Sequence, residues 1–141
     1  MTRQGLRSGT TAAEFALVLV PLLTLIFGGV EFGRLLWTRN AMQQTAVATA
    51  RCMGVRQAPC STGGVTDVAK TVAFARNHAF GLSVAIPATG VAATAIGTCG
   101  GQGGFALVTL TVTFRTAVPK LLTSLGLNPV LVTSACFPNQ T

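Results

Sequence analysis

The sequence predicts an α+β protein in which a long N-terminal membrane-spanning α-helix packs against a small head with one further helix and a three-stranded antiparallel sheet. Three patterns support this fold class. Residues 15–30 carry no charge and one polar side chain, Thr24; apolar residues then continue at helical spacing; and alternating apolar and polar residues follow Pro87. A chain of 141 residues is too short for a multidomain enzyme.

The composition indicates a membrane segment and argues against several functions. Charged residues make up 9% of the chain, against roughly 25% in an ordinary soluble domain. The formal charge is +7, but the basic residues are spread from Arg3 to Lys120 without forming a run, which does not favour nucleic-acid binding. With three acids, one histidine and no tyrosine, the chain offers few groups for acid–base catalysis.

None of the candidate catalytic and metal-binding patterns has the arrangement that its chemistry requires. Asp67 and His78 are predicted on one helix but about 16 Å apart along its axis, and His78 is expected to be solvated. The sequence GQGGFA at 101–106 precedes a strand, so we expect a hairpin loop and not a phosphate-binding loop. The cysteines lack the C-x-x-C pairs of structural zinc sites. We therefore expect no enzyme activity, cofactor, metal or small-molecule substrate.

The apolar run between Glu14 and Glu31 is predicted to cross the membrane. Its length, roughly 24 Å at about 1.5 Å per residue, is slightly short for a bilayer core, so one flanking glutamate lies near an interface or Glu14 is neutralised inside the bilayer. Trp37 follows where an interface anchor is expected. The cysteines all lie beyond the run, which favours a cytoplasmic N-terminus and an extracytoplasmic head. A secretory signal peptide is disfavoured because Glu14 interrupts the start of the run.

The helical pattern continues beyond the run and predicts a helix from Thr10 to Arg51. Its apolar or small residues recur at spacings of seven, four and seven: Leu35, Met42, Ala46 and Met53. Glu31 and Arg34 have the spacing of an ion pair on this helix. The turn-rich residues 54–64 are expected to end it.

A second helix and three strands are predicted for the head. The helix opens at Asp67 and Lys70, stops at Gly81, and carries one apolar face of Val68, Val72, Ala75 and Ala79. The strands are expected at 91–98, 105–115 and 130–137, and the connection between the last two contains Pro119, Gly126 and Pro129. A core this small gains from disulfides.

The four cysteines allow three pairings, among which the sequence does not choose. Cys52 and Cys60 bracket a turn and could close a short loop. Cys99 and Cys136 would then remain, but in a simple meander they lie two strands, about 9.6 Å, apart, beyond the roughly 7 Å limit between Cα atoms. Either the loop GGQGG at 100–104 draws Cys99 closer or the strand order differs.

Residues 7–51 resemble the N-terminal region of TadE-like pseudopilins of Tad (Flp) pilus systems, and more generally a type IV pilin N-terminus. The resemblance rests on Gly9 after a short basic leader, Glu14 and Phe15 directly before the apolar run, and EFGR after it. It implies cleavage by a prepilin peptidase after Gly9, which would make Thr10 the mature N-terminus and Glu14 the fifth residue. The implied partners are the major pilin, other pseudopilins, the peptidase and an inner-membrane assembly platform, in addition to the lipid bilayer.

Glu14, just before the run, and Pro21, within it, have a functional and a structural explanation each. Glu14 either pairs with the free amine of the mature N-terminus, on its own or a neighbouring subunit, or is a headgroup-level acid without a partner. Pro21 either allows local melting of the helix in a filament or is a harmless kink.

These inferences divide the chain into a leader at 1–9, a transmembrane and stalk helix at 10–53, and an extracytoplasmic head at 54–141. The function they favour is that of a TadE-like minor pseudopilin in the bacterial inner membrane. The alternative is an uncleaved single-pass envelope protein with a binding head. A third hypothesis is an adhesive tip subunit that binds through loops near 81–90 and 99–104.

Overall fold

The computed structural model describes residues 7–116 and 129–140, so the predicted turn residues Pro119 and Gly126 lie outside the described residues. The chain forms two compact units, the first ending at Arg34 and the second beginning at Leu35. Helix α1, Arg7–Gly54, contributes its first part to one unit and its second part to the other. The fold class is α+β, as predicted.

In the first unit the side chains of the apolar run are exposed. Phe15 is 66%, Leu17 76% and Leu25 75% exposed. A helix covered in large apolar side chains that pack on nothing is suited to lipid and not to water. By length and composition α1 is able to cross a membrane: the most apolar 18-residue window of Thr11–Gly54 has a mean hydropathy of 2.2, with none of it buried.

In the second unit α1 buries one face in the core of the head. The buried side chains are small or unbranched and recur every three to four residues: Ala41, Met42, Thr45, Ala46, Thr49, Ala50 and Met53. Three of the four residues predicted for this face, Met42, Ala46 and Met53, are fully buried, and Leu35 is half-buried. Small side chains let the helix axis approach the rest of the head closely.

The end of α1 is a Schellman motif. The Gln57 amide donates to the Cys52 carbonyl at 3.0 Å and the Arg56 amide to Met53 at 3.2 Å, while Arg56 has the left-handed φ of 55° that this motif requires. The turn therefore begins at Val55, one residue later than predicted. A short hairpin that the sequence did not predict follows, with β1 (Ser61–Thr62) paired to β2 (Val65–Thr66) across two glycines of positive φ.

Helix α2, Val68–Gly81, starts at an Asp67 cap and stops at the predicted glycine. Ala75 and Ala79 are fully buried and Val72 is partly buried, as its spacing predicted. Val68, however, is 48% exposed, so the buried part of the predicted apolar face does not extend to it. The buried stripe instead begins at Thr71, whose hydroxyl donates to the Asp67 carbonyl at 2.7 Å and is thereby satisfied in the core.

Three antiparallel strands form the sheet in the order β3 (Val91–Cys99), β4 (Gln102–Thr113) and β5 (Val130–Pro138). The predicted alternation on the middle strand is confirmed, because its inward residues are buried: Ala106, Val108, Leu110 and Val112, with Phe114 beyond the strand end. Gly100 and Gly101, both at positive φ, join β3 to β4, so 101–106 is part of a hairpin as expected.

The structure contains two disulfides, Cys52 with Cys60 and Cys99 with Cys136. The Cα atoms of the second pair are 6.5 Å apart although the strand order is the simple meander. The separation of two full strands expected for that order was therefore wrong. The β3–β4 pairing has two register shifts between Thr94 and Thr98, and such irregularities bend and twist a strand. The glycine-rich hairpin end is thus drawn towards β5.

Removal of the Cys99–Cys136 bridge is expected to lower the free energy of unfolding by about 4 kcal/mol, because it closes a loop of 37 residues. Denaturant unfolding of Cys99→Ala, Cys136→Ala and the double variant measures this. Either single change already breaks the bond, so all three should unfold at similar denaturant concentration. Additive effects of the two single changes would contradict the bridge.

The cap of α2 is expected to make the head sensitive to acid. The Lys70 amide, at 3.1 Å from the Asp67 carboxylate, holds the pKa of Asp67 below its usual range, and the Thr62 hydroxyl at 2.9 Å acts in the same direction. A lowered pKa contributes stability that is full above the ordinary aspartate pKa of about 3.9 and is lost as the pH falls through the lowered value.

Thermal unfolding in detergent from neutral to acidic pH tests this linkage. Asp67→Ala should lower the melting temperature at neutral pH by a few degrees and remove part of the loss in acid. Asp67→Asn keeps a cap acceptor that does not titrate, so it should restore most of the neutral-pH stability without the acid sensitivity. An Asn variant that loses stability in acid as the parent does would rule out Asp67 as its source.

Candidate functional site

The candidate site lies at the start of α1, around the peptide bond between Gly9 and Thr10. Helix α1 begins at Arg7, so this bond and Glu14 belong to one continuous stretch of helix. Residues four apart on a helix lie on the same face, which places Glu14 one turn beyond Thr10 on that face. A new N-terminus at Thr10 would therefore be a helical neighbour of Glu14.

Glu14 and Phe15 are both exposed at the start of the apolar run. In the part of the chain that the structure describes, no hydrogen bond or ion pair reaches the Glu14 carboxylate. A carboxylate in or near hydrocarbon is costly unless a cation compensates it. Glu14 is thus placed where a partner from outside the described chain would lower its free energy.

The acid at the other end of the run has a different environment. Glu31 accepts a hydrogen bond from the Arg34 guanidinium at 3.0 Å, as their spacing predicted. Both side chains retain contact with solvent, so the pair contributes only a few tenths of a kcal/mol, roughly, to the helix. The negative charge of Glu31 is thus compensated by Arg34 within one turn of the same helix.

Pro21 lies inside α1 without ending it. Its nitrogen carries no hydrogen, so the carbonyl one turn earlier loses its helical donor. The Thr24 hydroxyl donates to the carbonyl of Pro21 itself at 2.8 Å, and not to the carbonyl that the proline deprives of its donor. Both hypotheses for Pro21, local melting in a filament and a harmless kink, stay predictions.

The residues considered for catalysis are not brought together. Asp67 engages Thr62 and Lys70, whereas the Nδ1 atom of His78 lies 3.2 Å from the Thr45 hydroxyl on α1. His78 is half-buried, so the expectation of a solvated histidine was wrong: the sequence does not show that its helix face packs against α1. Within the described ranges, no three His, Cys, Asp or Glu residues gather where they could hold a metal ion.

A contact that the sequence does not predict involves Trp37. Its indole nitrogen donates to the Leu82 carbonyl, in the loop after α2, at 3.1 Å, while the side chain remains 59% exposed. The interface-anchor position predicted for Trp37 thus coincides with a tertiary contact in the head. The sequence shows that Trp37 follows the apolar run. It does not show the partner of Trp37, because the loop that contains Leu82 is 45 residues away.

Residues 9–51 match the family model of TadE-like proteins. The matched segment begins at Gly9, includes Glu14 and the whole apolar run, and ends three residues before α1 does. It confirms the resemblance of this part of the chain and supports a Tad pilus-related protein; the family is a pilus-assembly family and not an enzyme family. The chain matches no curated protein and no solved structure.

Proposed function

We propose that this chain is a minor pseudopilin of a bacterial Tad pilus, anchored in the inner membrane by α1 with its N-terminus in the cytoplasm and its head in the periplasm. A prepilin peptidase removes residues 1–9, so that the mature chain starts at Thr10. The mature helix then packs beside those of the major pilin and other pseudopilins at the assembly platform of the inner membrane.

The observation that carries this proposal is the environment of Glu14. It is an exposed carboxylate without a partner in the described chain, at the start of an exposed apolar helix, within the segment that matches TadE-like proteins. A simple membrane anchor has no use for an acid at this position. A subunit that assembles through its helix does, because a neighbour's N-terminal amine can neutralise the charge.

The pairing gives assembly a direction and a register. A carboxylate in a low-dielectric environment is stabilised by a cation only at close range. A helix that slides by one turn, about 5.4 Å, would leave both charges unpaired. The pair would therefore select one axial position of a subunit relative to its neighbour. The apolar contacts of the run, which lack directional groups, would supply adhesion without that selectivity.

Gly9→Val is expected to block maturation and leave membrane insertion intact, because a branched side chain replaces the residue that precedes the cleaved bond. Intact-mass and N-terminal analysis of membrane-extracted protein, with and without the cognate prepilin peptidase, measures this. The parent chain should start at Thr10 only when the peptidase is present. Gly5→Val is the matched control in the same leader and should mature normally.

Other starting residues would contradict the proposed processing. A chain that keeps Met1 or Thr2 in the presence of active peptidase would favour the uncleaved envelope protein. A start beyond Gly28 would show that the apolar run is a removable signal peptide.

Glu14→Ala is expected to allow maturation but impair assembly, since the amine of a neighbouring subunit loses its partner. Co-purification of the mature chain with pilus components and piliation of the cells are the measurements. The matched control is Glu31→Ala at the other end of the same run, where Arg34 already compensates the acid. Assembly reduced equally by both changes would point to net charge and not to the pairing, and full assembly of Glu14→Ala would remove the pairing argument.

A further inference from the structure

A cleft of about 670 Å³ lies in the head between α1 and the first half of β5. One wall is a single face of α1, on which the lining residues recur at spacings of three and four: Leu36, Arg39, Asn40 and Gln43. The other wall is formed by residues 130–133 of β5. All of these residues belong to the unit that begins at Leu35, so the cleft lies within one compact body.

The cleft borders the backbone edge of β5 and not one of its faces. Successive side chains of a strand point to opposite faces of the sheet, so a cavity that touches four consecutive residues reaches the strand from its edge. β4 occupies the opposite edge of β5, which is an outer strand of the sheet. The cleft therefore lies where a fourth strand would be added.

The edge of β5 that borders the cleft offers main-chain hydrogen-bonding groups. The Phe114 amide donates to the Pro129 carbonyl at 2.7 Å, which fixes the alternation of the antiparallel ladder. By this alternation Leu131 and Thr133 bond to β4, whereas the amide and the carbonyl of Val132 point away from it. Within the described residues no hydrogen bond reaches those two groups of Val132.

The edge of β5 is also regular and unprotected. β5 pairs with β4 over its whole length without a register shift, whereas β3, the other outer strand, has two shifts. Residues 130–137 contain no charged residue and no proline. Natural sheets prevent the addition of further strands by irregularities, charges or prolines on their outer strands. β5 lacks these features, and an edge of this kind binds extended peptides in several classes of domain.

We propose that the cleft binds an extended acidic segment of another protein, which adds to β5 as a fourth strand and places a carboxylate beside Arg39. The main-chain groups of Val132 hold the strand, and Arg39 selects the acid. This inference concerns the head alone, and it is independent of cleavage after Gly9 and of the pairing of Glu14.

Charge decides between a strand of another protein and a strand of a second copy. Arg39 is the one charged side chain among the described lining residues, and no hydrogen bond or ion pair of the described chain holds its guanidinium. A carboxylate beside it would form a charge-assisted hydrogen bond. β3, β4 and β5 carry no charged residue, and Asp67, the sole acid in residues 35–141, caps α2. A strand of a second copy would therefore leave Arg39 uncompensated.

Photo-crosslinking of the full-length chain in its native bacterial host tests the occupant. Asn40, exposed on the wall of the cleft, is replaced by photoreactive benzoylphenylalanine, and mass spectrometry of the adducts identifies the crosslinked peptide. The matched control carries the same group at Ile96, which is 79% exposed on the other outer strand. We expect a several-fold higher yield of protein adduct at position 40 than at position 96. The adduct should join a segment of another protein that has an aspartate or glutamate close to the crosslinked residue.

Two substitutions test the strand edge and the arginine separately. Val132→Pro removes an amide that β4 does not use, so the head should fold while the yield at position 40 falls several-fold. Val132→Thr keeps this amide and should give the parent yield. Arg39→Gln should lower the yield roughly two- to fivefold, as the loss of one exposed ion pair predicts. Arg51→Gln, its matched control on the same helix, should leave the yield unchanged.

Thermal unfolding of the disulfide-bonded chain verifies that Val132→Pro folds. If it does not fold, Arg39→Gln still tests the inference, because its side chain is exposed and lies outside the sheet.

Other results would overturn the inference. Adducts of position 40 with a second copy, with residues 117–128 of the same chain, with lipid or with a segment that lacks an acid would show another occupant. Equal yields at positions 40 and 96 would show that the cleft binds no partner. The parent yield in a folded Val132→Pro chain would exclude strand addition, and the parent yield in Arg39→Gln would exclude the selection of an acid.

Discussion

The head of this protein depends on the burial of one face of α1 between Ala41 and Met53. That face is built from alanine, threonine and methionine, and both of its threonines have a hydrogen-bond partner: Thr49 donates to the Thr45 carbonyl at 2.7 Å, and the Thr45 hydroxyl lies 3.2 Å from His78 on α2. Among the described residues no buried side-chain oxygen or nitrogen lacks a hydrogen-bond partner. Small and hydroxyl-bearing residues thus allow close packing of a helix without the cost of unsatisfied polar groups. The large aliphatic residues before Arg34 have no such neighbours, and their exposure is compatible with lipid.

Because the head is small, its core needs covalent support at the places where packing ends. Cys52 and Cys60, both fully buried, hold the turn after α1 to the start of the hairpin. Cys99 and Cys136 connect the two outer strands at the end of the sheet, where glycines replace side chains that could pack. The two bridges therefore stabilise the end of the head where α1 stops, while the opposite end relies on side-chain contacts such as that between Trp37 and Leu82.

The patterns that repeat along the chain predicted most of the fold. Helical spacing identified Met42, Ala46 and Met53, and strict alternation identified the buried side of β4, because each such pattern reflects one face packed on a core. Local irregularities were not predicted. Two register shifts in β3 bring Cys99 close to Cys136, and the sequence does not show them. The spacing of residues also does not reveal the partners of His78 and Trp37, because both contacts join distant segments. The processing site that we propose rests on Gly9 and Glu14, which form a local motif, whereas the contact of Trp37 with Leu82 joins two segments that meet only in the folded head.

The two glutamates that flank the apolar run show why an apolar helix alone does not explain this N-terminus. Glu31 is matched by Arg34 within one turn, so it needs nothing from another molecule. Glu14 has no partner in the described chain, although the neighbouring leader is basic in sequence. Removal of that leader would take Arg3 and Arg7 away and create an amine at Thr10 instead. The charge near Glu14 would then be carried by the backbone terminus itself, which lies at a fixed place on the helix. A cation fixed to the helix end, unlike a flexible arginine, would specify the axial position of the neighbour that it pairs with, and in the proposed function this would link cleavage to ordered assembly.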